Sequence, residues 1–160
     1  FTGIRNSGQA KGFWDLLGDD PELPILLVDY DQAQAYASWA GGQLPDEGQW
    51  QKAHRGVDGR SYPWGDAFDP TWCQMADSVG QPRVVAEGGH PENTSPFGVA
   101  DGAGNVMEWA TLLDGSPGQL GGGCANGMRP CRLSRRVRFP AFFRAAYSGF
   151  RLLRSFSSGN

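Results

Sequence analysis

Glycine and proline interrupt this chain so often that they exclude long helices and strands from most of it. The 160 residues include 24 glycines and 11 prolines, and helical periodicity is confined to residues 29–56. Such a composition is typical of low-complexity chains. This chain also has six tryptophans and nine phenylalanines, however, and disordered chains are poor in such residues. The sequence therefore predicts one loop-rich domain, residues 1–160, that buries a core of its own.

Two short amphipathic helices are predicted in the periodic stretch. In DYDQAQAYASWAGG, Asp29 or Asp31 can cap a helix that the glycine pair ends. In QLPDEGQWQKAHRG, Asp46 and Gln49 have the spacing of a capping box, and Gly56 is the stop signal. The apolar faces consist of Ala33, Tyr36, Ala37 and Ala40 in the first helix, and of Trp50 and Ala53 in the second.

Strand signals occur only in the second half of the chain. GNVMEWATLL and SGFRLLRS alternate well enough to form strands. VRFPAFFR contains Pro140, which favours an edge strand or a loop. These elements predict an α+β domain with two short helices, a small antiparallel sheet and much ordered loop.

Charge is divided unequally along the chain. Residues 1–123 hold 6 basic and 17 acidic side chains, whereas residues 124–160 hold 8 arginines and no acid. Such a division can mark a surface for an acidic partner, or it can mean that the two halves pair with each other. The arginines of residues 131–151 are scattered among prolines and aromatic residues, and not along one continuous basic face. We therefore do not expect nucleic acid as a partner.

Membrane and redox signals are weak. No stretch approaches the roughly 20 apolar residues of a membrane span. The chain starts at Phe1 without a methionine, so we expect it to be the C-terminal part of a longer chain. Cys73, Cys124 and Cys131 show no CxxC spacing. We expect free thiols, which favours a reducing compartment such as the cytoplasm, although a Cys124–Cys131 disulfide stays open.

Several blocks resemble a known family. LVDYDQAQAYASWAGGQLPDEGQWQKAHRG, YPWGD, PFGVADGAGNVMEW and GFRLL follow one another in the order found in the formylglycine-generating-enzyme/sulfatase-modifying-factor superfamily. The resemblance covers residues 25–153. It implies a C-type lectin-like fold of the sulfatase-modifying-factor type.

The block DGAGNVMEW predicts a calcium site. Asp101 and Glu108 supply hard oxygen ligands, and the glycines between them allow carbonyl groups to turn inward. The resemblance implies a structural calcium ion held by these two side chains and by the carbonyl groups of Gly104 and Val106. The alternative is a tight turn in which Asn105 and Glu108 form hydrogen bonds with the backbone.

The resemblance also raises the question of catalysis. Formylglycine-generating enzymes hold copper with two cysteines after a Gly-Gly block. In LGGGCANGMRPC, Cys131 matches the second position, but Asn126 occupies the first and Cys124 falls on a tryptophan position. Because Cu(I) needs a thiolate pair, we expect no copper and no oxidase activity. Related iron enzymes need a histidine cluster, whereas we expect His54 on a helix surface and His90 in solvent.

The closing arginine-rich run, residues 131–151, resembles one branch of the superfamily, the variable proteins of diversity-generating retroelements. In that branch the diversified codons exclude Lys, Glu, Gln, Met and Trp, and residues 131–151 contain none of the five. The resemblance implies a structural role for Arg132, Arg136, Arg144, Gly149, Phe150 and Arg151.

Between these structural residues lie the predicted variable positions of a ligand-binding region at about residues 124–151. They are Ala125, Gly127, Leu133, Arg135, Val137, Phe139, Phe142, Phe143, Ala145, Ala146, Tyr147 and Ser148.

Two functions remain open at this point. The first is a non-catalytic domain that binds an unknown protein or surface ligand, and the second is an enzyme or enzyme-derived domain. In the second case the aromatic residues of the run would pack an ordinary core. In the first case Phe139, Phe142, Phe143 and Tyr147 should cluster on one exposed face, because monomers rarely leave large apolar patches open.

Overall fold

The computed structural model describes residues 21–78 and 82–154, so both ends of the predicted 1–160 domain lie outside the described residues. Two helices precede a four-stranded sheet, in agreement with the predicted α+β class. The elements are α1 (Tyr30–Trp39), α2 (Glu47–Arg55), β1 (Met107–Thr111), β2 (Pro117–Leu120), β3 (Arg136–Arg138) and β4 (Ser148–Gly149).

Both helices begin at capping boxes. Asp29 Oδ1 accepts a hydrogen bond from the Gln32 backbone N–H at 2.9 Å, and the Gln32 side chain accepts one from Asp29 N–H at 3.3 Å. Asp46 and Gln49 make the same reciprocal bonds at 2.7 and 2.9 Å. The predicted second capping box is therefore present, and Asp29, rather than Asp31, caps the first helix.

The sheet is mixed, so the prediction of a purely antiparallel sheet is wrong. Its order is β3-β2-β1-β4. The β1–β2 and β2–β3 pairs are antiparallel, but β4 lies parallel to β1, with Met107 opposite Ser148. Between β3 and β4 the chain crosses from one edge of the sheet to the other. After this crossing β4 runs in the same direction as β1.

Each face of the sheet is covered by a different helix. Trp109, in β1, is fully buried against the apolar side of α1, and its indole N–H donates to the Val28 carbonyl at 2.9 Å. On the other face Trp50 of α2 packs with Leu120 and Leu133. The segment from residue 121 to residue 147 leaves β2, forms β3 and returns to β4 over these two cores. Within the described residues, no helix is long and apolar enough to cross a membrane.

Candidate ligand-binding surface

The segment between β2 and β4 is fixed to the protein by residues that alternate with exposed ones. Cys131 and Leu133 are fully buried, whereas Arg132 and Ser134 between and beside them are exposed. The backbone N–H of Leu133 also donates to the Ser61 carbonyl at 2.9 Å. A two-residue alternation therefore presents every second side chain to solvent in this part of the segment.

The predicted variable positions do not all reach solvent. Three are exposed (Ala125, Arg135 and Phe142), seven are half-buried (Gly127, Val137, Phe139, Phe143, Ala145, Ala146 and Tyr147), and two are buried (Leu133 and Ser148). We correct the prediction for the last two. Leu133 fills the core beneath Trp50, and the Ser148 hydroxyl donates to the Gln119 side chain inside the sheet at 3.1 Å. Neither side chain can contact a ligand.

The aromatic residues do not form the single exposed face that the sequence predicts. Phe139 and Phe143 stack with ring centroids 4.0 Å apart, and Phe139 meets Trp109 edge-on. Both rings close the core over Trp109. Tyr147 packs against a different apolar cluster, with Cys124 among its members. Only Phe142 of the four is largely exposed, at 78 %.

Arg144 connects this segment to the first helix. Its Nε and Nη2 atoms donate to Asp29 Oδ2 at 3.0 and 2.5 Å. Burial would raise the pKa of Asp29, but the hydrogen bond from Gln32 and the Arg144 guanidinium outweigh it and hold this pKa below its usual value. One carboxylate therefore caps α1 and pairs with the arginine of the segment.

Arg151 connects the end of the segment to the sheet. Its Nε and Nη2 atoms each lie 2.5 Å from a carboxylate oxygen of Glu108. The Trp50 indole N–H donates to the same carboxylate at 2.6 Å. Burial would raise the pKa of Glu108, but the Arg151 guanidinium outweighs this effect and lowers it. The buried carboxylate is therefore ionised and accepts three hydrogen bonds.

Arg132 does not have the structural role that the resemblance implies. Its side chain is exposed, and it forms no ion pair with any carboxylate in the described parts of the chain. The neighbouring Cys131 and Leu133 face inward, so the arginine between them points away from the core. The structural arginines of the segment are Arg136, which pairs with Glu47 at 3.2 Å, Arg144 and Arg151.

The predicted calcium ligands fit the ion only in part. Both oxygens of Glu108 are already bonded to Arg151, so this side chain does not fit as a ligand. Asp101 fits better, because its Oδ1 is buried without a hydrogen-bond partner in the described residues, while its Oδ2 accepts from Gly88 N–H at 2.7 Å. No described group of three or more His, Cys, Asp or Glu side chains is arranged to hold a metal. Calcium remains a prediction, and it would rest on Asp101 and the carbonyl groups of Gly104 and Val106.

The alternative turn interpretation of the same block agrees with the structure for Asn105 but not for Glu108, whose partners are the side chains of Trp50 and Arg151. The Asn105 side chain accepts from Val85 N–H and donates to the Val85 carbonyl, both at 3.0 Å. Gly104 has φ of +77°, and a Cβ atom there would lie 2.3 Å from the Gln74 carbonyl oxygen. The glycine is therefore required by close backbone approach, whether or not an ion binds.

The cysteines are poorly suited to copper. Cys73, Cys124 and Cys131 are free and buried. Burial raises the pKa of Cys73 and of Cys131 to about 12. Cu(I) binds thiolates, so binding at either residue would have to displace the thiol proton.

The prediction of His54 on a helix surface is wrong. The side chain is fully buried, with its ring 4.4 Å from the Trp50 ring. A Cβ atom added at Gly102 would lie 2.3 Å from its Nδ1. Neither ring nitrogen has a hydrogen-bond partner among the described residues. Glu47, Trp50 and His54 form the buried face of α2. Their spacing is helical, but two of the three are polar, so a search for apolar residues misses this face.

An apolar recess beside α1 has no counterpart in the sequence predictions. It has a volume of about 380 Å³. It is lined by Ile25, Val28, Gln32, Tyr36, Phe150, Arg151 and Leu152. Trp39, next to Tyr36 on the helix, is 80 % exposed. Tyr36, which the sequence places on the apolar face of the helix, is 38 % exposed, and its ring meets Phe150 across the recess.

Among known proteins, the relatives of this chain include one named as an inactive enzyme and one named as an enzyme. Inactive C-alpha-formylglycine-generating enzyme 2 of Mus musculus is 36 % identical over 107 residues, which cover 61 % of this chain and 35 % of the relative. The formylglycine-generating enzyme of Mycobacterium tuberculosis is 37 % identical over 107 residues, with 59 % and 35 % covered. The chain thus spans about a third of the length of these curated relatives.

The fold also matches solved structures. Treponema denticola variable protein 1 superposes with a TM-score of 0.66 at 18 % identity, covering 82 % of this chain and 70 % of that one. At this identity the likeness concerns the fold alone, and it agrees with the C-type lectin-like architecture. A profile of the sulfatase-modifying factor enzyme 1-like domain matches residues 7–156, nearly the whole chain. The chain belongs to the family of sulfatase-modifying factor enzyme 1-like domains.

Proposed function

We propose that this domain is a non-catalytic binding module that presents a diversified surface, formed by exposed side chains of residues 125–146, to a protein or surface ligand. The observation that carries the proposal is that anchoring residues and exposed residues are interspersed along this segment. Cys131, Leu133 and Arg144 fix the backbone by burial or ion pairing, while Ala125, Arg135 and Phe142 are exposed. A fixed framework beneath variable side chains is what such a module requires.

Two further observations support the proposal. Residues 131–151 contain none of the five residue types that the codons of retroelement variable regions exclude. The fold also resembles that of Treponema denticola variable protein 1. Phe142 is the side chain best suited to a central ligand contact, because exposed aromatic residues provide large contact areas at a low entropic cost.

A pair of display libraries tests the proposal. The first randomises Ala125, Arg135, Phe142, Ala145 and Ala146, and the matched control randomises the buried Leu133 and Ser148 together with Phe139 of the core. We expect the first library to keep its display level and thermal stability and to yield specific binders against a panel of proteins. The control library should lose folded protein, since core substitutions are destabilising.

Equal loss of folding in both libraries would contradict the proposal, and so would a failure of the first library to yield any binder. The DNA beside the gene supplies an independent test. We expect a nearby near-repeat of the segment that differs only at adenines, together with a reverse transcriptase.

An oxidase of the formylglycine-generating type is the alternative, and the formylglycine-generating enzyme of Mycobacterium tuberculosis among the relatives favours it. The packing of Phe139 and Phe143 over Trp109 also favours an enzyme or enzyme-derived domain, in which these rings are expected to lie in the core. Against it stands the register of the cysteines, because Cys131 matches the second copper position of the family pattern but Asn126 occupies the first. Incubation of the full-length protein with copper and a peptide carrying the sulfatase motif separates the two functions. Formation of formylglycine, detected by mass spectrometry, would contradict the binding-only function.

A further inference from the structure

The eight arginines after residue 123 divide according to their partners. Four form ion pairs: Arg136 with Glu47, Arg138 with Asp114, Arg144 with Asp29, and Arg151 with Glu108. Arg154 donates to the Ala40 carbonyl at 2.8 Å. The remaining three, Arg129, Arg132 and Arg135, are exposed, and none of them pairs with a carboxylate in residues 21–78 or 82–154.

These three arginines lie at the corners of two consecutive turns. The Arg132 N–H donates to the Arg129 carbonyl at 3.3 Å, and the Arg135 N–H donates to the Arg132 carbonyl at 2.9 Å. A turn of this kind brings its first and fourth Cα atoms within about 7 Å. Cys131 and Leu133, which lie between the corners, face the core. All three side chains are exposed, so this short stretch of chain presents three positive charges to solvent.

The strip continues into an edge of the sheet. Strand β3 starts at Arg136, directly after the last corner, and β3 is the edge strand of the sheet, with β2 as its neighbour. Its outer side carries no strand from the described part of the chain. An unpaired edge is a template for an added extended peptide. In an extended peptide, alternate side chains are about 6.7 Å apart, which long arginine side chains on neighbouring turn corners can reach.

We propose that Arg129, Arg132 and Arg135 bind the carboxylates of an extended acidic peptide of the ligand, positioned beside the edge strand β3. Guanidinium groups suit this role because they bind carboxylates through two parallel hydrogen bonds. The inference rests on the proposed function, since Arg135 belongs to the proposed surface. It goes further in naming the chemistry of the partner and in assigning Arg129 and Arg132 to recognition.

Fluorescence anisotropy with two labelled peptides tests the assignment. One peptide alternates Asp and Ser, and its control alternates Asn and Ser, so that only the charge differs. We expect the protein to bind the acidic peptide at least tenfold more tightly, and higher salt should weaken this binding. Equal affinity for the two peptides would overturn the proposal.

Charge-reversal variants locate the site. Arg132→Glu should weaken binding of the acidic peptide about tenfold or more, and Arg129→Glu and Arg135→Glu should act in the same direction. The matched control is Lys52→Glu, an equal change of net charge at an exposed position of α2. Equal weakening by Lys52→Glu would show that net charge alone is responsible, and this result would overturn the proposal. Thermal melts of all variants establish that each one is folded.

Polyanion binding and library selection make the test more specific. If single-stranded DNA or heparin, matched to the peptide in charge, bound as tightly as the acidic peptide, the assignment to a peptide would be overturned. The display library tests the proposed function alone, because binders can be selected against uncharged epitopes. The library could yield binders while the protein binds the two peptides with equal affinity. This result would support the proposed function and overturn only the assignment of the three arginines.

Discussion

His54 illustrates how much a single buried side chain can determine. Its ring lies between Trp50 and the backbone of Gly102, near the Glu108–Arg151 ion pair. Burial lowers the pKa of His54 to about 4, with Arg151 acting in the same direction and Glu108 opposing it. The imidazole is therefore neutral inside the folded protein at physiological pH.

We expect the free energy of unfolding to fall as pH drops from about 6.5 toward 4. The unfolded chain binds this proton with an ordinary pKa near 6.5 and so takes up more protons than the folded protein in that window. The expected loss between pH 7 and pH 5 is about 2 kcal/mol. Urea denaturation at the two pH values measures it. His54→Ala should remove most of this dependence, and an unchanged slope in that variant would refute the assignment.

The ion pair of Glu108 and Arg151 provides a second test at this scale. Glu108→Gln leaves the guanidinium without its counter-ion in the core, and such a change costs about 3–5 kcal/mol. The matched control is Arg138→Gln, which breaks the pair with Asp114, where both side chains are at least half exposed. Exposed pairs contribute about 1 kcal/mol or less. Equal losses in the two variants, measured by chemical denaturation, would argue against a buried pair.

At the scale of elements, the two capping boxes differ in one respect. Asp46 only caps α2, whereas Asp29 caps α1 and also pairs with Arg144. We expect Asp46→Ala to cost about 1 kcal/mol and Asp29→Ala to cost clearly more. In a double-mutant cycle, Asp29→Ala with Arg144→Ala should be less than additive, because each single change removes the same pair. Strict additivity in the denaturation data would mean that the pair contributes nothing.

Local signals are sufficient for the helices but not for the sheet. Asp46 with Gln49 predicts its capping box within four residues of sequence, whereas the sequence leaves the cap of the first helix open between Asp29 and Asp31. Strand β2, with the sequence PGQL, has no alternation of its own. The segment is a strand because it pairs with β1. Gly118 is required in it because a Cβ atom there would lie 2.6 Å from the Leu112 side chain. A short strand that depends on a distant partner leaves no local pattern.

The candidate surface could be predicted from the sequence only in part. The family register locates the segment and its pairing arginines, Arg144 and Arg151, correctly in the sequence. It cannot tell which aromatic side chains are covered. Phe139 and Phe143 are half-buried because Trp109 offers a surface that they can close. Exposure of a ring depends on neighbours that are remote in sequence, so residue type and spacing alone do not determine it.

At the scale of the whole molecule, pairing within the chain accounts for half of the eight arginines after residue 123. Four arginines of the C-terminal part reach carboxylates of the acid-rich part. In the C-terminal part, the three exposed arginines without a carboxylate partner in the described residues lie in the two turns before β3. Pairing and exposure therefore both occur, but they involve different arginines.

Calcium provides a test of the molecule as a whole. We expect millimolar calcium to raise the melting temperature of EDTA-treated protein, because a ligand that binds only the folded state stabilises it. Asp101→Ala should abolish the response, and Asp101→Asn, which keeps a side-chain oxygen, should retain part of it. If EDTA and calcium leave the melting temperature of the wild type unchanged, the predicted ion does not contribute to the fold.

The crossing of the segment from β3 to β4 has a consequence for evolution. These two strands are the opposite edges of one sheet, about 14 Å apart at the usual spacing of neighbouring strands. The residues between them must cover that distance while Arg144 stays in register with Asp29. An insertion or deletion here would shift the register of Ser148 against Met107, whereas a substitution would not. Under the proposed function, we therefore expect this segment to vary by substitution at a constant length.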